Sequence, residues 1–208
     1  MNSGARAALD TLYARRAELE CCRPEIEVAF NALADTFSSG AKLLVCGNGG
    51  SAADAEHIAG ELLNKFRKHR TIPAELAAKL PSDLAAKLEG ALPAISLVSM
   101  TGALSAIAND IDWKASFAQQ TLGLAKKGDA LLSISTSGNS ANCVAAAQVA
   151  KALGAKTIAL TGKAESALSR ICDIAIRVPE SETFRVQELH MSIYHALCAA
   201  LEEEMFPS

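Results

Sequence analysis

Leu43-Leu44-Val45-Cys46-Gly47-Asn48-Gly49-Gly50-Ser51 is the stretch whose reading decides the fold. A short apolar run of the kind that forms a buried strand passes directly into a glycine-rich turn, and an amphipathic helical pattern follows from Ser51. Glycines at such a turn let the backbone approach a ligand closely, and the helix they open presents free N–H groups and its positive dipole end. His57 and Glu61 lie four positions apart on that helix and so share a face. A backbone cradle for a phosphate or sugar and a possible metal or acid–base pair therefore fall in one short segment.

Working outward, the same alternation recurs. Strand patterns are predicted at 42–46, 94–99, 129–134, 157–160 and 174–178, and helical patterns at 51–66, 103–126, 140–153, 164–171 and 186–204. The strands are continuously apolar, which signals burial on both faces. Strands alternating with helices signal a parallel sheet with right-handed crossovers. The expected fold is α/β: a doubly wound, five-stranded parallel sheet flanked by helices. Residues 1–40 read as an N-terminal helical segment, divided into two helices at Cys22-Arg23-Pro24 because proline disfavours helix in the residue before it. Residues 41–208 form the main domain. Segment 67–92 breaks the rhythm with two short helical patterns, which makes it a lid, an oligomer contact or a decoration. No internal repeat is expected beyond a general enrichment in alanine.

Half of the 208 residues are hydrophobic but only 4% are aromatic, so the core must be built from Ala, Leu, Ile and Val. Twenty basic and 23 acidic residues are interspersed and give a net charge of −3, which lacks the basic footprint of a nucleic-acid binder. The six cysteines, at 21, 22, 46, 143, 172 and 198, contain no C-x-x-C pair and read as mostly buried thiols in a reducing compartment. Neither a secretory signal nor a membrane-spanning run is recognised, and a soluble cytoplasmic protein is expected.

Three polar loops follow strands and so belong to the ligand-binding end of the sheet. The first, Gly47 to Ser51, lacks the G-x-G-x-x-G spacing of a dinucleotide site. The second, Ser135-Thr136-Ser137-Gly138-Asn139-Ser140, gathers four hydroxyls at a helix start, more than one N-cap requires, and suits a phosphate monoester. The third, Thr161-Gly162-Lys163, is less specific and reads as a turn. His57 and Glu61 are the right types for zinc, although an isolated pair at this spacing is more often a surface contact. Gln187, Glu188, His190 and His195 supply further donors near the C-terminus, with His195 set in an apolar helical pattern that would also suit a core histidine. Gln187 and His195 are eight residues apart, roughly 12 Å of helix rise. To share one ion they require either an irregular helix start at Gln187 or a site divided between two chains.

CGNGGSAADAEHIAGE at 46–61, Asn109-Asp110, STSGNS at 135–140, LTGK at 160–163 and Gln187-Glu188 with His195 together resemble the sugar isomerase (SIS) domain of the phosphoheptose isomerase family. The resemblance implies an SIS-type sheet and a ketose–aldose isomerase that converts sedoheptulose 7-phosphate to D-glycero-D-manno-heptose 7-phosphate by a metal-assisted enediol(ate) proton transfer. It implies that Asn48, Gly49, Gly50, Ser51, Asn109 and Asp110 contact the sugar, while Ser135, Thr136, Ser137 and Ser140 hold the phosphate. His57, Glu61, Gln187 and His195 would bind zinc, with Glu61 and His195 as the acid–base pair; Glu61 and Gln187 would also touch substrate. The family is typically a homotetramer with interfacial active sites. Two departures from it, the longer segment 67–92 and Lys65 in place of an arginine found in some members, bear on which sugar is used. The competing readings are an SIS-fold interaction protein of the replication-initiator-associating type and a non-catalytic sugar-phosphate-binding module. Loss of the metal residues would favour the former, and this chain keeps all four.

Overall fold

All five apolar runs become strands in the computed structural model, which describes residues 1–207. They are β1 (Leu43–Gly47), β2 (Ala94–Ser96), β3 (Ala130–Ser135), β4 (Lys156–Thr161) and β5 (Ile174–Arg177). Every neighbouring pair is parallel, in the order β2-β1-β3-β4-β5. Each residue of β1 and β3 is buried, because helices cover both faces. The pleat divides them: Leu43, Val45, Leu132 and Ile134 enter one core, while Leu44, Cys46 and Leu131 enter the other. The doubly wound expectation is met.

The first core lies under α1 (Ser3–Arg15), α2 (Arg23–Ser38), α3 (Gly50–Leu63) and α10 (Thr183–Met205). The N-terminal helices thus share the core of the sheet. Their break is longer than the sequence suggests: α1 ends at Arg15, a 3-10 stretch covers Ala17–Cys22, and Pro24 then stands in the first turn of α2, where its missing N–H costs nothing. The opposite core lies under α7 (Ser116–Leu124), α8 (Ala141–Ala152) and α9 (Ala167–Ile171). The helical pattern at 103–126 resolves into α6 (Thr101–Asp110), a 3-10 turn at Trp113–Ala115 and α7; Asp112 accepts from Lys114 N and starts the second piece afresh. Strand β2 stops at Ser96, three residues short of its expected end. Among the described residues no helix is long and apolar enough to cross a membrane.

Segment 67–92 forms two four-residue helices, α4 (Ala74–Ala77) and α5 (Ser82–Ala85), neither with a buried residue. They correspond to a tandem repeat, Pro73-Ala-Glu-Leu-Ala-Ala-Lys-Leu80 and Pro81-Ser-Asp-Leu-Ala-Ala-Lys-Leu88, which corrects the expectation of no repeat. The excursion closes at a neck: Gly90 N donates to Arg70 O at 2.7 Å and Arg70 N to Glu89 Oε2 at 2.7 Å. At the base of the neck the Arg70 side chain is fully buried, with Nε 2.7 Å from Glu202 Oε1 on α10. Its Nη1 and Nη2 donate to the carbonyls of Leu62 and Glu61, capping the end of α3. Glu202 also accepts from Phe66 N and Arg67 N. Burial alone would raise its carboxyl, but those two N–H groups and the guanidinium outweigh it and hold the group below the usual carboxylate range.

Removing one partner leaves the other charge buried. Arg70→Met should therefore destabilise the fold by about 3–5 kcal/mol in urea unfolding, and Arg70→Met with Glu202→Leu should recover only part of that loss, because the Leu62 and Glu61 carbonyls and the Phe66 and Arg67 N–H groups lose their side-chain partners. Because the folded carboxyl of Glu202 is depressed, its contribution is present above the ordinary carboxylate pKa and is lost as pH falls toward the folded value, so acid should narrow the gap between wild type and variant. Deleting the octad Pro81–Leu88, which lies outside the neck, should shift stability by less than about 1 kcal/mol in the same measurement.

Candidate active site

Strand order reverses between β1 and β3, since the chain passes from β1 outward to β2 and returns to β3 on the other side. The two connections diverge there, leaving a crevice beyond the strand ends where ligands bind in such sheets. The loops after β1 and β3 flank it. In the first loop Gly49 has φ +58°, a left-handed conformation that a side chain would strain, and it starts α3 without a side-chain cap. Ser51 is buried in the first turn. Asn48 and Asn142 exchange two amide hydrogen bonds, each 2.9 Å long, across the crevice. Asn142 is buried near the start of α8, so it fixes Asn48 relative to the second loop. Sequence reasoning named Asn48 and missed Asn142; its only mark was a polar residue on the buried side of the first turn.

In the second loop Ser140 is the N-cap residue of α8, yet its hydroxyl makes no cap bond. Instead Ser140 Oγ lies 2.9 Å from Ser135 Oγ. The hydroxyls thus face each other across the loop mouth; Cys143 N in the first turn donates to Asn142 Oδ1 at 3.0 Å, which leaves the N–H groups of Ala141 and Asn142 for an anion. Gly138 turns the loop with φ +66°, and a Cβ there would overlap Ser166 Oγ. Ser137 Oγ accepts from Asn139 N at 3.2 Å. Gly162 N donates to Thr136 O at 3.0 Å, so the third loop braces the second from behind.

The third part of the site lies between α3 and α10. Gly50 packs against Gln187 and, two turns on, His57 packs against His195, so the two helices run parallel. His57 Nε2 is 3.0 Å from Glu61 Oε1, and the His57 and His195 ring centroids are 4.9 Å apart at 82°. One donor atom each from His57, Glu61 and His195 all fall within 4.8 Å of one another. His195 is half-buried, with Phe66 stacked 5.7 Å away; burial first, then the neighbouring His57, push it below the ordinary imidazole range. The core histidine on this helix is His190, not His195. It is wholly buried with neither ring nitrogen hydrogen-bonded, and burial pushes it down to about 4, with the Thr161 backbone beside it offsetting only part of the shift.

Two residues that sequence reasoning missed stand behind His57. Tyr194 Oη lies 3.1 Å from His57 Nδ1 and donates to Asp54 Oδ1 at 3.2 Å. Burial raises the Asp54 carboxyl, opposed by the Tyr194 hydrogen bond and by His57. Nothing in the sequence spacing links Asp54 to Tyr194; the helix pairing does.

Not every predicted residue joins this cluster. Gln187 lies in regular helix, which removes the irregular-start explanation, and a Cβ on Gly50 would be 2.5 Å from its Nε2. Seven residues of α3, roughly 10 Å of rise, separate that point from His57. A groove of about 850 Å³ nevertheless passes Gly50, Asp54, Phe66, Gln187 and His195, bordered by Arg15 and Arg16 of α1. Asn109 and Asp110 end α6, a helix with no buried residue, and their side chains bond each other at 2.8 Å rather than either loop.

Two imidazoles and a carboxylate with converging donor atoms fit zinc, which accepts both ligand types and in catalytic sites takes three protein ligands with a position left open.

Residues 10–91 and 101–200 match the SIS domain family. The phosphoheptose isomerase of a Nitratiruptor species is 46% identical over 162 residues, covering 78% of this chain and 76% of that one. Among solved structures, a phosphoheptose isomerase from Francisella tularensis superposes with a TM-score of 0.77 at 32% identity, covering 93% of each chain. The phosphoheptose isomerase from Neisseria gonorrhoeae gives 0.67 at 32% identity, covering 91% of this chain and 97% of that one.

Replacing Asn142 with leucine would leave the Asn48 amide without its partner in a half-buried site. The expected loss is about 1–3 kcal/mol in denaturant unfolding, against a near-neutral effect for an exposed asparagine such as Asn109.

Proposed function

Since the chain belongs to the phosphoheptose isomerase family and is a sugar-phosphate isomerase enzyme, we propose that it converts sedoheptulose 7-phosphate to D-glycero-D-manno-heptose 7-phosphate in the cytoplasm, with zinc held by His57, Glu61 and His195. The observation that carries this reading is the convergence of those three donor sets within 4.8 Å, on the helix that begins at the glycine loop of the crevice.

The phosphate is assigned to the second loop. Ser135, Thr136, Ser137 and Ser140 supply hydroxyls and α8 supplies the N–H groups of Ala141 and Asn142, so a dianion is held without a basic side chain in the loop. Holding the phosphate end converts the search of a flexible seven-carbon chain into a positioned encounter. Asn48, locked by Asn142, offers its amide to sugar hydroxyls, with Gly49, Gly50 and Ser51 beside it. Asn109 and Asp110 are assigned to the sugar by family likeness.

Isomerisation removes one hydrogen from C1 and places one on C2, while a hydroxyl proton passes from O1 to O2. Glu61 takes the C1 proton, the C1–H pair becomes the C1–C2 double bond of the enediol(ate) and the C2 carbonyl pair moves onto O2; His195 then protonates C2 as the O1–H pair forms the C1 carbonyl, and the proton on Glu61 returns to His195 through solvent. His195 is assigned the donor role by family likeness. Bound zinc would supply Lewis-acid stabilisation of the charge developing on the substrate oxygens. Gln187 is proposed as a fourth ligand contributed across a subunit interface, since within one chain it stands two turns from the cluster. Exposed Phe184 and Met191, on the same stretch of α10, support assembly of copies there, and a homotetramer is the form proposed.

The test is an isomerisation assay on purified protein with sedoheptulose 7-phosphate, combined with metal analysis. Glu61→Gln and His195→Ala should each lower kcat/KM by at least about 100-fold. Normal turnover in both variants would sink the acid–base assignment. Wild-type protein that binds the sugar phosphate without converting it would support a sensor instead.

A further inference from the structure

The Tyr194 phenol lies between two groups and has one hydrogen to give. Its Oη is 3.2 Å from Asp54 Oδ1 and 3.1 Å from His57 Nδ1. An ionised carboxylate only accepts, so the phenolic hydrogen goes to Asp54, and the contact with His57 is then an Nδ1–H donated to the phenol oxygen. In the neutral ring this leaves Nε2 as a bare lone pair. That lone pair points at Glu61 Oε1, itself an acceptor, 3.0 Å away. Two acceptors so close are favourable only with a shared cation or proton between them.

Burial supplies an independent observation. Asp54 is 7% exposed and Tyr194 1%, and Asp54 Oδ2 has no hydrogen-bond partner. Burying a carboxylate with one oxygen unpartnered is costly, and stability alone would favour an apolar pair between α3 and α10. The arrangement makes sense as support for a ligand, because a metal-binding histidine is held by donating its other ring N–H to a neighbouring acceptor.

We propose that Asp54 and Tyr194 are positioning residues that hold His57 in its Nδ1–H tautomer and aim Nε2 at the metal. The tautomer follows from the single phenolic hydrogen and an ionised Asp54; its purpose rests on the zinc reading of the cluster given above. Asp54 acts only through Tyr194, and Tyr194 only through His57.

The experiment uses the full chain with 15N-labelled histidine, metal-free and zinc-loaded, with His57→Gln identifying the His57 signals. Nitrogen–proton correlations then show which ring nitrogen carries the hydrogen. The expected result is Nδ1–H in the neutral ring in both forms, with a slowly exchanging proton. Tyr194→Phe should free that proton to exchange and weaken zinc binding about 10- to 100-fold in a chelator-competition titration. A merely structural role would lower the unfolding midpoint while leaving zinc affinity and ring signals as in wild type. An Nε2–H tautomer in metal-free wild type overturns the proposal, as does a Tyr194→Phe zinc affinity within about twofold of wild type. Should that variant not fold, the wild-type tautomer decides, with Asp54→Asn as the second variant expected to speed exchange of the same proton. Wild type that shows Nδ1–H but takes up no zinc overturns the metal reading and the purpose proposed for the tautomer, a result distinct from failure of the hydrogen-bond assignment.

Discussion

The parallel docking of α3 on α10 is the constraint on which the site depends. His57 and Glu61 come from one helix and His195 from the other, so no cluster exists unless their register is held. Apolar contacts through Ile58, Ile193 and Leu197 provide the driving force but do not forbid a slide by themselves. Register is set at two points: at the start, Gln187 fills the space left by Gly50, where a methyl would collide; at the end, Arg70 ties the last carbonyls of α3 to Glu202 of α10.

The switch point then brings the remaining parts to this helix pair. α3 begins at the end of β1, and β3 is the neighbour of β1, so the glycine loop and the serine loop are adjacent by topology. Asn48–Asn142 is the cross-brace between them. A sugar phosphate held at Ser135–Ser140 would extend past Asn48 toward the His57–Glu61 face, the direction in which α3 itself leads.

The sheet was legible because β1 and β3 are buried on both faces and so are largely apolar without alternation, a pattern surface strands lack. The His57/Glu61 pair was legible because both residues lie on one helix at a fixed spacing. Histidine roles on α10 were not. His190 and His195 are five residues apart, hence on different sides of the helix, and only the packing partner of each side makes one a core residue and brings the other beside His57. Asn142, Asp54 and Tyr194 were invisible for the same reason: each acts through a partner 94 to 140 residues away, which sequence spacing cannot encode. The repeat at 73–88 was readable in principle and was obscured by the chain's general alanine richness.

Segment 67–92 looks like an accessory from its sequence, yet its neck bears directly on the proposed base. Arg70 Nη2 donates to the backbone carbonyl of Glu61 at 2.8 Å, while the Glu61 side chain faces His57. The last turn of a helix is where fraying begins, because its carbonyls lack intrahelical partners. A catalytic carboxylate placed there would wander unless those carbonyls were held. Arg70 holds them, and Glu89 with Gly90 holds Arg70. The part of the segment free to vary is therefore the pair of octads beyond the neck, whose closure cost grows only slowly with length. An insertion can be long there and still leave Glu61 fixed, provided the neck remains shut.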